Sequence, residues 1–116
     1  IEDWAIVGGL TAIHQFVRIG AHSFCGGGSR VPQDIPPYLK VAGNPVKLYG
    51  LNTVGLERRG VSEDVKRVLK QTYQILFQSK LTLTRAMDIA ETEVHQIPEV
   101  RHLLMFIRSS KRGVIT

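Results

Sequence analysis

Cysteine is nearly missing from this 116-residue chain, where Cys25 stands alone. A lone thiol closes no bridge within the chain, so a disulfide-stapled scaffold is excluded and a reducing compartment is expected. Aromatic residues make up only 7%, with one Trp, and they do not interleave with the basic residues as a nucleic-acid module requires. No apolar run approaches the ~18 residues of a membrane span. The opening Ile1-Glu2-Asp3-Trp4 has neither a charged leader nor a cleavage site, so a cytoplasmic chain without a signal peptide is expected. Acidic residues are the minority, with 10 Asp and Glu against 15 Lys and Arg, a formal charge of +5. With no nucleic-acid module in sight, that excess leaves a membrane surface, or an acidic partner or phosphorylated substrate. A Gly-rich phosphate loop, paired catalytic carboxylates, a Ser-His-Asp set and zinc spacing are all absent, so no metal and no cofactor are expected.

What the chain does have is a period of six. Cut into hexapeptides, it places Ile1, Val7, Ile13, Ile19, Cys25 and Val31 at the first position. The fifth positions, Ala5, Thr11, Val17, Ser23, Ser29 and Ile35, are mostly small or β-branched, and Gly8, Gly20 and Gly26 recur at the second. Six matches neither the helical period of 3.6 nor the strand period of 2, but it fits a β-solenoid in which each hexapeptide is one short strand and a corner. Three hexapeptides close a triangular coil, so residues eighteen apart stack about 4.8 Å from one another. Gly9 is therefore expected against Gly27, His14 against Pro32, and Gln15 against Gln33. The repeat is already under way at Ile1. Two coils are too few to bury a core, and the expectation is a C-terminal part of a longer protein with further coils upstream.

Glycine and proline then thin out, and the chain is expected to turn from β to α. The solenoid should end at Pro36-Pro37-Tyr38, because proline cannot donate to a ladder. Leu39–Ala42 and Val46–Leu51 read as extended pieces around a Gly43-Asn44-Pro45 turn. The expected organisation is 1–50 for the last coils and exit strands, 51–61 for a connector crossing an exposed surface, and 62–116 for a helical domain. Ser62 is an N-cap, with Glu63 and Asp64 opposing the helix dipole and Glu63 set to pair with Arg67. Val65, Val68, Leu69, Thr72, Ile75 and Leu76 form the apolar stripe of a helix ending near Ser79-Lys80. A second helix is expected over 84–93. A third should start at Pro98 and close near Lys111-Arg112, with Gly113 as its stop.

Three features offer chemistry. His14 and Gln15 follow the inward Ile13, so both should project outward, either as ligand contacts or as hydrogen-bonded surface groups. Gly26-Gly27-Gly28 strips one coil of side chains, either as the floor of a groove for a long apolar ligand or as a tight corner. Arg58-Arg59 either grips phosphate oxygens or is merely solvated. His95 and His102 have no partners at metal spacing and read as surface or packing residues, and His22 has no assignable role.

Ala5-Ile6-Val7-Gly8-Gly9, Ile13-His14-Gln15-Phe16, Gln33-Asp34-Ile35-Pro36-Pro37-Tyr38 and, most specifically, Asn52-x-x-Gly55-Leu56-x-Arg58-Arg59-Gly60 resemble the acyl-ACP:UDP-N-acetylglucosamine O-acyltransferase family. The resemblance runs the length of the chain. It implies a left-handed parallel β-helix followed by a small C-terminal helical domain, assembled as a homotrimer with active sites between subunits. It also implies transfer of a long 3-hydroxyacyl chain from acyl carrier protein to the 3-position of UDP-N-acetylglucosamine, the first step of lipid A synthesis. In that scheme His14, Gln15, Asn52, Arg58 and Arg59 bind the sugar nucleotide and Gly27 ends the acyl groove. Lys111 and Arg112 contribute to carrier docking. The general-base histidine belongs to a coil upstream of Ile1, so no catalytic residue is expected here and the chain should not act alone. Val54 stands where the best-known members carry glutamate. The alternatives are another hexapeptide acyltransferase, N-acyl- or acetyl-CoA-dependent, and a non-catalytic trimerisation or carrier-binding module.

Overall fold

The computed structural model describes residues 1–116. Four two-residue strands open the chain: β1 (Ile6–Val7), β2 (Ala12–Ile13), β3 (Phe24–Cys25) and β4 (Arg30–Val31). β1 pairs in parallel with β3, Ile6 opposite Phe24, and β2 with β4, Ala12 opposite Arg30. Both registers are offsets of eighteen, which is the coil expected from the hexapeptides. The Gly28 N–H donates to the Gly9 carbonyl at 2.8 Å, and the His14 N–H to the Val31 carbonyl at 3.0 Å, as the stacking requires. Ile19, Cys25 and Val31 fill the shaft, buried completely.

Each corner carries one residue in the left-handed region of backbone space, again six apart: Trp4, Leu10, Phe16, His22 and Gly28. Only the last is glycine. The other four each accept a steric cost of roughly 1–2 kcal/mol, sustained because the ladders on both sides fix the corner. Glycine is needed elsewhere, where coils approach most closely. A β-carbon on Gly8 would lie 2.6 Å from the Gly27 Cα, and one on Gly20 would lie 2.6 Å from the Pro37 Cα.

The solenoid does not end at Pro36-Pro37-Tyr38. These three residues turn a further corner, with Tyr38 at φ 69°, and β5 (Leu39–Gly43) then pairs in parallel with β3. The proline pair is tolerated because it sits at a corner, where no ladder donor is needed. The register has changed, however. Phe24 faces Lys40 and Ile19 faces Ile35, offsets of sixteen. One side of the second coil is therefore two residues short, and Ile35 is an inward plug rather than a fifth-position residue.

The shortened side is completed from far along the sequence. Asp34 bridges Val114, its N–H donating to the Gly113 carbonyl and its carbonyl accepting from the Ile115 N–H, both at 3.0 Å. Ile115 enters the same apolar core as Ile19 and Ile35. Beneath it the buried Asp34 carboxylate accepts from the Arg18 N–H at 2.8 Å and the Ser110 hydroxyl at 2.6 Å.

β6 (Val46–Leu51) returns antiparallel to β5 and leads into α1 (Thr53–Arg58), α2 (Glu63–Gln78), α3 (Leu83–Glu93) and α4 (Pro98–Ser109). Ser62 caps α2 as expected, accepting from the Val65 N–H. The ion pairs differ from expectation. Glu63 joins Lys66 at 2.6 Å and Arg67 joins Asp64 at 3.2 Å, one residue closer in each case than Glu63–Arg67. Lys66 also reaches Glu57, and this second carboxylate draws it away from solvent. α4 stops at Ser109 rather than at Gly113, whose positive φ instead turns the chain back towards the solenoid. Residues 51–61 are not simply an exposed crossing. Leu56 is fully buried and joins the helical core, to which Tyr38 of the third coil also belongs.

Ile115→Ala should therefore destabilise the protein by about 2–5 kcal/mol, the cost of a buried aliphatic truncation. Urea unfolding checks this, and a loss no larger than that of a surface substitution would show that the tail is not part of the core.

Candidate functional site

One edge of the solenoid carries Trp4, His22 and Tyr38 above one another, each at positive φ. Tyr38 stacks on His22 with ring centroids 5.8 Å apart, and His102 of α4 meets Tyr38 edge-on at 6.2 Å. His102 Nε2 lies 2.9 Å from Glu2 Oε1, which also accepts the Ala21 N–H at 2.9 Å. His102, which reads from the sequence as a surface or packing residue, thus ties the helices to the first coil.

Asn52 is the hinge between this edge and α1. Its backbone N–H donates to the Tyr38 carbonyl and its side-chain amide to the His22 carbonyl, both at 2.8 Å, while its Oδ1 caps α1 through the Gly55 N–H at 3.2 Å. A β-carbon on Gly55 would lie 3.0 Å from the Asn52 Cγ. That close approach is the physical reason for Asn-x-x-Gly. With Leu56 sunk in the helical core, α1 is held so that its last turn presents Arg58 and Arg59.

Between the solenoid edge and α1 lies a cavity of about 830 Å³. Asn52, Arg58 and Arg59 line it together, beside His22, Lys40 and Trp4. Three cations and no carboxylate face this space, so its field favours an anion. The Arg59 guanidinium lies 3.6 Å from the centre of the Trp4 ring. Val54 and Tyr49 add apolar wall. His22 had no assignable role in the sequence. Its Nδ1 is buried without a hydrogen-bond partner. Burial holds its imidazole below the ordinary 6.5, and the nearby Arg59 charge lowers it further, with Asp3 and Glu99 opposing.

His14 and Gln15 do not join this group. Both are exposed, on the turn that follows β2 on another side of the triangle, and neither lines the cavity. Gly27 is also exposed, packed against Gly9 of the neighbouring coil. A second cleft, of about 460 Å³, opens at the Phe16 corner, where Arg18, Lys111 and Arg112 converge.

Hexapeptide coils topped by helices, with paired arginines at the seam, define the class of hexapeptide-repeat acyltransferases. The chain belongs to the UDP N-acetylglucosamine O-acyltransferase family, whose domain 2 model matches residues 34–115. It is 49% identical over 114 residues to the acyl-acyl-carrier-protein–UDP-N-acetylglucosamine O-acyltransferase of Myxococcus xanthus, covering 98% of this chain and 44% of that protein. The enzyme of that name from Burkholderia mallei is 45% identical over 119 residues, covering 99% of this chain and 45% of the relative. Among solved structures, a UDP-N-acetylglucosamine acyltransferase from Bacteroides fragilis superposes with a TM-score of 0.93 at 38% identity, over 97% of this chain and 44% of the other. The Arabidopsis UDP-N-acetylglucosamine acyltransferase gives 0.90 at 34% identity, over 99% and 43%. The chain spans less than half the length of the curated relatives it matches.

A His22 that is harder to protonate when folded gives stability that is complete above its unfolded value, near 6.5, and is lost as pH falls through its lower folded value. Urea midpoints taken between about pH 8 and pH 5 should fall more steeply for the parent than for His22→Asn, whose side chain accepts the same corner conformation. Parallel curves would show that His22 has no part in acid sensitivity.

Proposed function

We propose that the protein transfers a long 3-hydroxyacyl chain from acyl carrier protein to the 3-position of UDP-N-acetylglucosamine, opening lipid A synthesis. The observation that carries this reading is the cavity in which Asn52, Arg58 and Arg59 converge without any facing carboxylate. Such a site suits a diphosphate, which takes charge-assisted hydrogen bonds from guanidinium edges. The relatives named above, by their names, act on that sugar nucleotide. In the reaction, the sugar hydroxyl oxygen attacks the thioester carbonyl, a general base takes the hydroxyl proton, and the carrier thiolate departs. His14 contributes binding rather than proton transfer.

The site is shared between copies. His14 and Gln15 stand apart from the arginine cavity, so one substrate reaches both groups only where two chains adjoin. Leu10 and Phe16, 98% and 78% exposed on their corners, are the apolar surface such an assembly covers. We therefore read the protein as a homotrimer of left-handed coils. Residues 1–50 form the coils and exit strands, 51–61 the connector and 62–116 the helical domain. The cleft with Arg18, Lys111 and Arg112 offers the charge to receive an acidic carrier. A carrier-bound donor and a nucleotide sugar place the reaction in the cytoplasm. No helix is long and apolar enough to cross a membrane.

Arg59→Ala should weaken UDP-N-acetylglucosamine binding by roughly 1.5–3 kcal/mol, the worth of a hydrogen bond to a charged group. Calorimetric titration measures this, and an unchanged affinity would remove Arg59 from the site. Gly27→Met should shift the intact enzyme towards shorter acyl donors, as read by competing carrier thioesters of different length. A β-carbon there lies 3.1 Å from the Gly9 carbonyl oxygen, leaving the longer side chain to run outward along the coil. Unaltered chain selection would dismiss the groove.

A further inference from the structure

Trp4 lies outside both apolar cores, 55% exposed, yet its backbone is pinned. It occupies a positive-φ corner whose next rung is the 3.0 Å bond from the His22 N–H to the Asp3 carbonyl. A bulky ring in that conformation, held in place and not buried, does no packing that a smaller residue could not do. What it does touch is Arg59.

The two neighbouring arginines differ. Arg58 and Arg59 both line the cavity, but only Arg59 rests on an aromatic face, with its guanidinium carbon 3.6 Å from the ring centre. Several cations elsewhere in the molecule are engaged by other groups. Arg108 holds Glu91 and Asp88, Lys66 holds Glu57 and Glu63, and Arg18, 4.1 Å above Phe106, donates to the Ser109 hydroxyl. Arg59 donates no side-chain hydrogen bond and meets no carboxylate. A guanidinium attracted through its face keeps every in-plane N–H free. It has also given up rotamer freedom before any ligand arrives, which lowers the entropic cost of binding.

We infer that Trp4 is a positioning residue, holding the Arg59 guanidinium over its indole so that the N–H edge faces a phosphate-bearing ligand in the cavity. This deepens the nucleotide reading above and rests on it for the identity of the ligand, although not for the positioning itself.

Two measurements on the protein test the idea. The first is nitrogen relaxation at the arginine Nε–H groups without ligand. Arg59 should be rigid and Arg58 mobile, with Trp4→Leu making Arg59 as mobile as its neighbour and Trp4→Phe keeping it ordered. The second is calorimetric binding of inorganic pyrophosphate. Trp4→Leu should weaken it about two- to fivefold, as for an exposed cation–π contact, and should add nothing on an Arg59→Ala background. An Arg59 already mobile in the parent, or unchanged in Trp4→Leu, overturns the inference. So does a Trp4→Leu loss that persists undiminished without Arg59. If pyrophosphate binds in this Trp4-dependent way but UDP-N-acetylglucosamine binds no better, the inference stands and the nucleotide reading falls.

Discussion

A triangular shaft filled by one inward side chain per six residues leaves no room for drift. Every plug must arrive on the same wall as the one eighteen residues earlier, and the corner between must bend by the same amount each time. That constraint explains why Trp4, Leu10, Phe16 and His22 adopt a conformation that costs them energy. It also explains why Gly8 and Gly20 have no side chain where coils meet. The corners throw their side chains outward, and the same geometry that closes the core therefore sets up a column of rings along one edge. Trp4, His22 and Tyr38 are the surface on which α1 and α4 dock, and the cavity is the gap left between them.

The departure from strict repetition matters as much as the repeat. Shortening one side by two residues changes the offset from eighteen to sixteen and opens that wall, which Val114 and Ile115 then close. A solenoid wall completed by the tail of a helical region cannot be treated as a separate body. Tyr38 in the helical core and Ile115 in the coil core interlock the two halves. The buried Asp34 carboxylate is satisfied from both sides, by the Arg18 N–H and the Ser110 hydroxyl, which makes the joint specific.

Much of this was legible in the residues, and the rest was hidden for identifiable reasons. The period of six placed the plugs and their stacking, because burial imposes a residue type at each inward position. Ser62 and Pro98 marked helix starts because caps are local chemistry. The corner conformation was not visible, since it is enforced by ladders on either side and only Gly28 advertises it. The two-residue deletion made Ile35 look like a fifth-position residue and the prolines look like an end. The helix α1 was missed because six residues carry too little periodicity, although Asn52 and Gly55 already spelled its cap. In the cavity, Asn52, Arg58 and Arg59 were anticipated together only through the family resemblance. His22 and Trp4 were not, because their meeting with α1 depends on packing across the chain, and His14 and Gln15 proved to belong to another face.

The wall closed by Ile115 has a bearing on how the molecule is made. Synthesis passes through these coils before it reaches the helices, so they emerge from the ribosome long before the residue that seals them. Until position 115 has left the exit tunnel, the Asp34 side of the shaft stays open to water and to other nascent chains. These coils are translated ahead of the helices and yet finished only after them, which sets a minimum waiting time before the shaft is sealed.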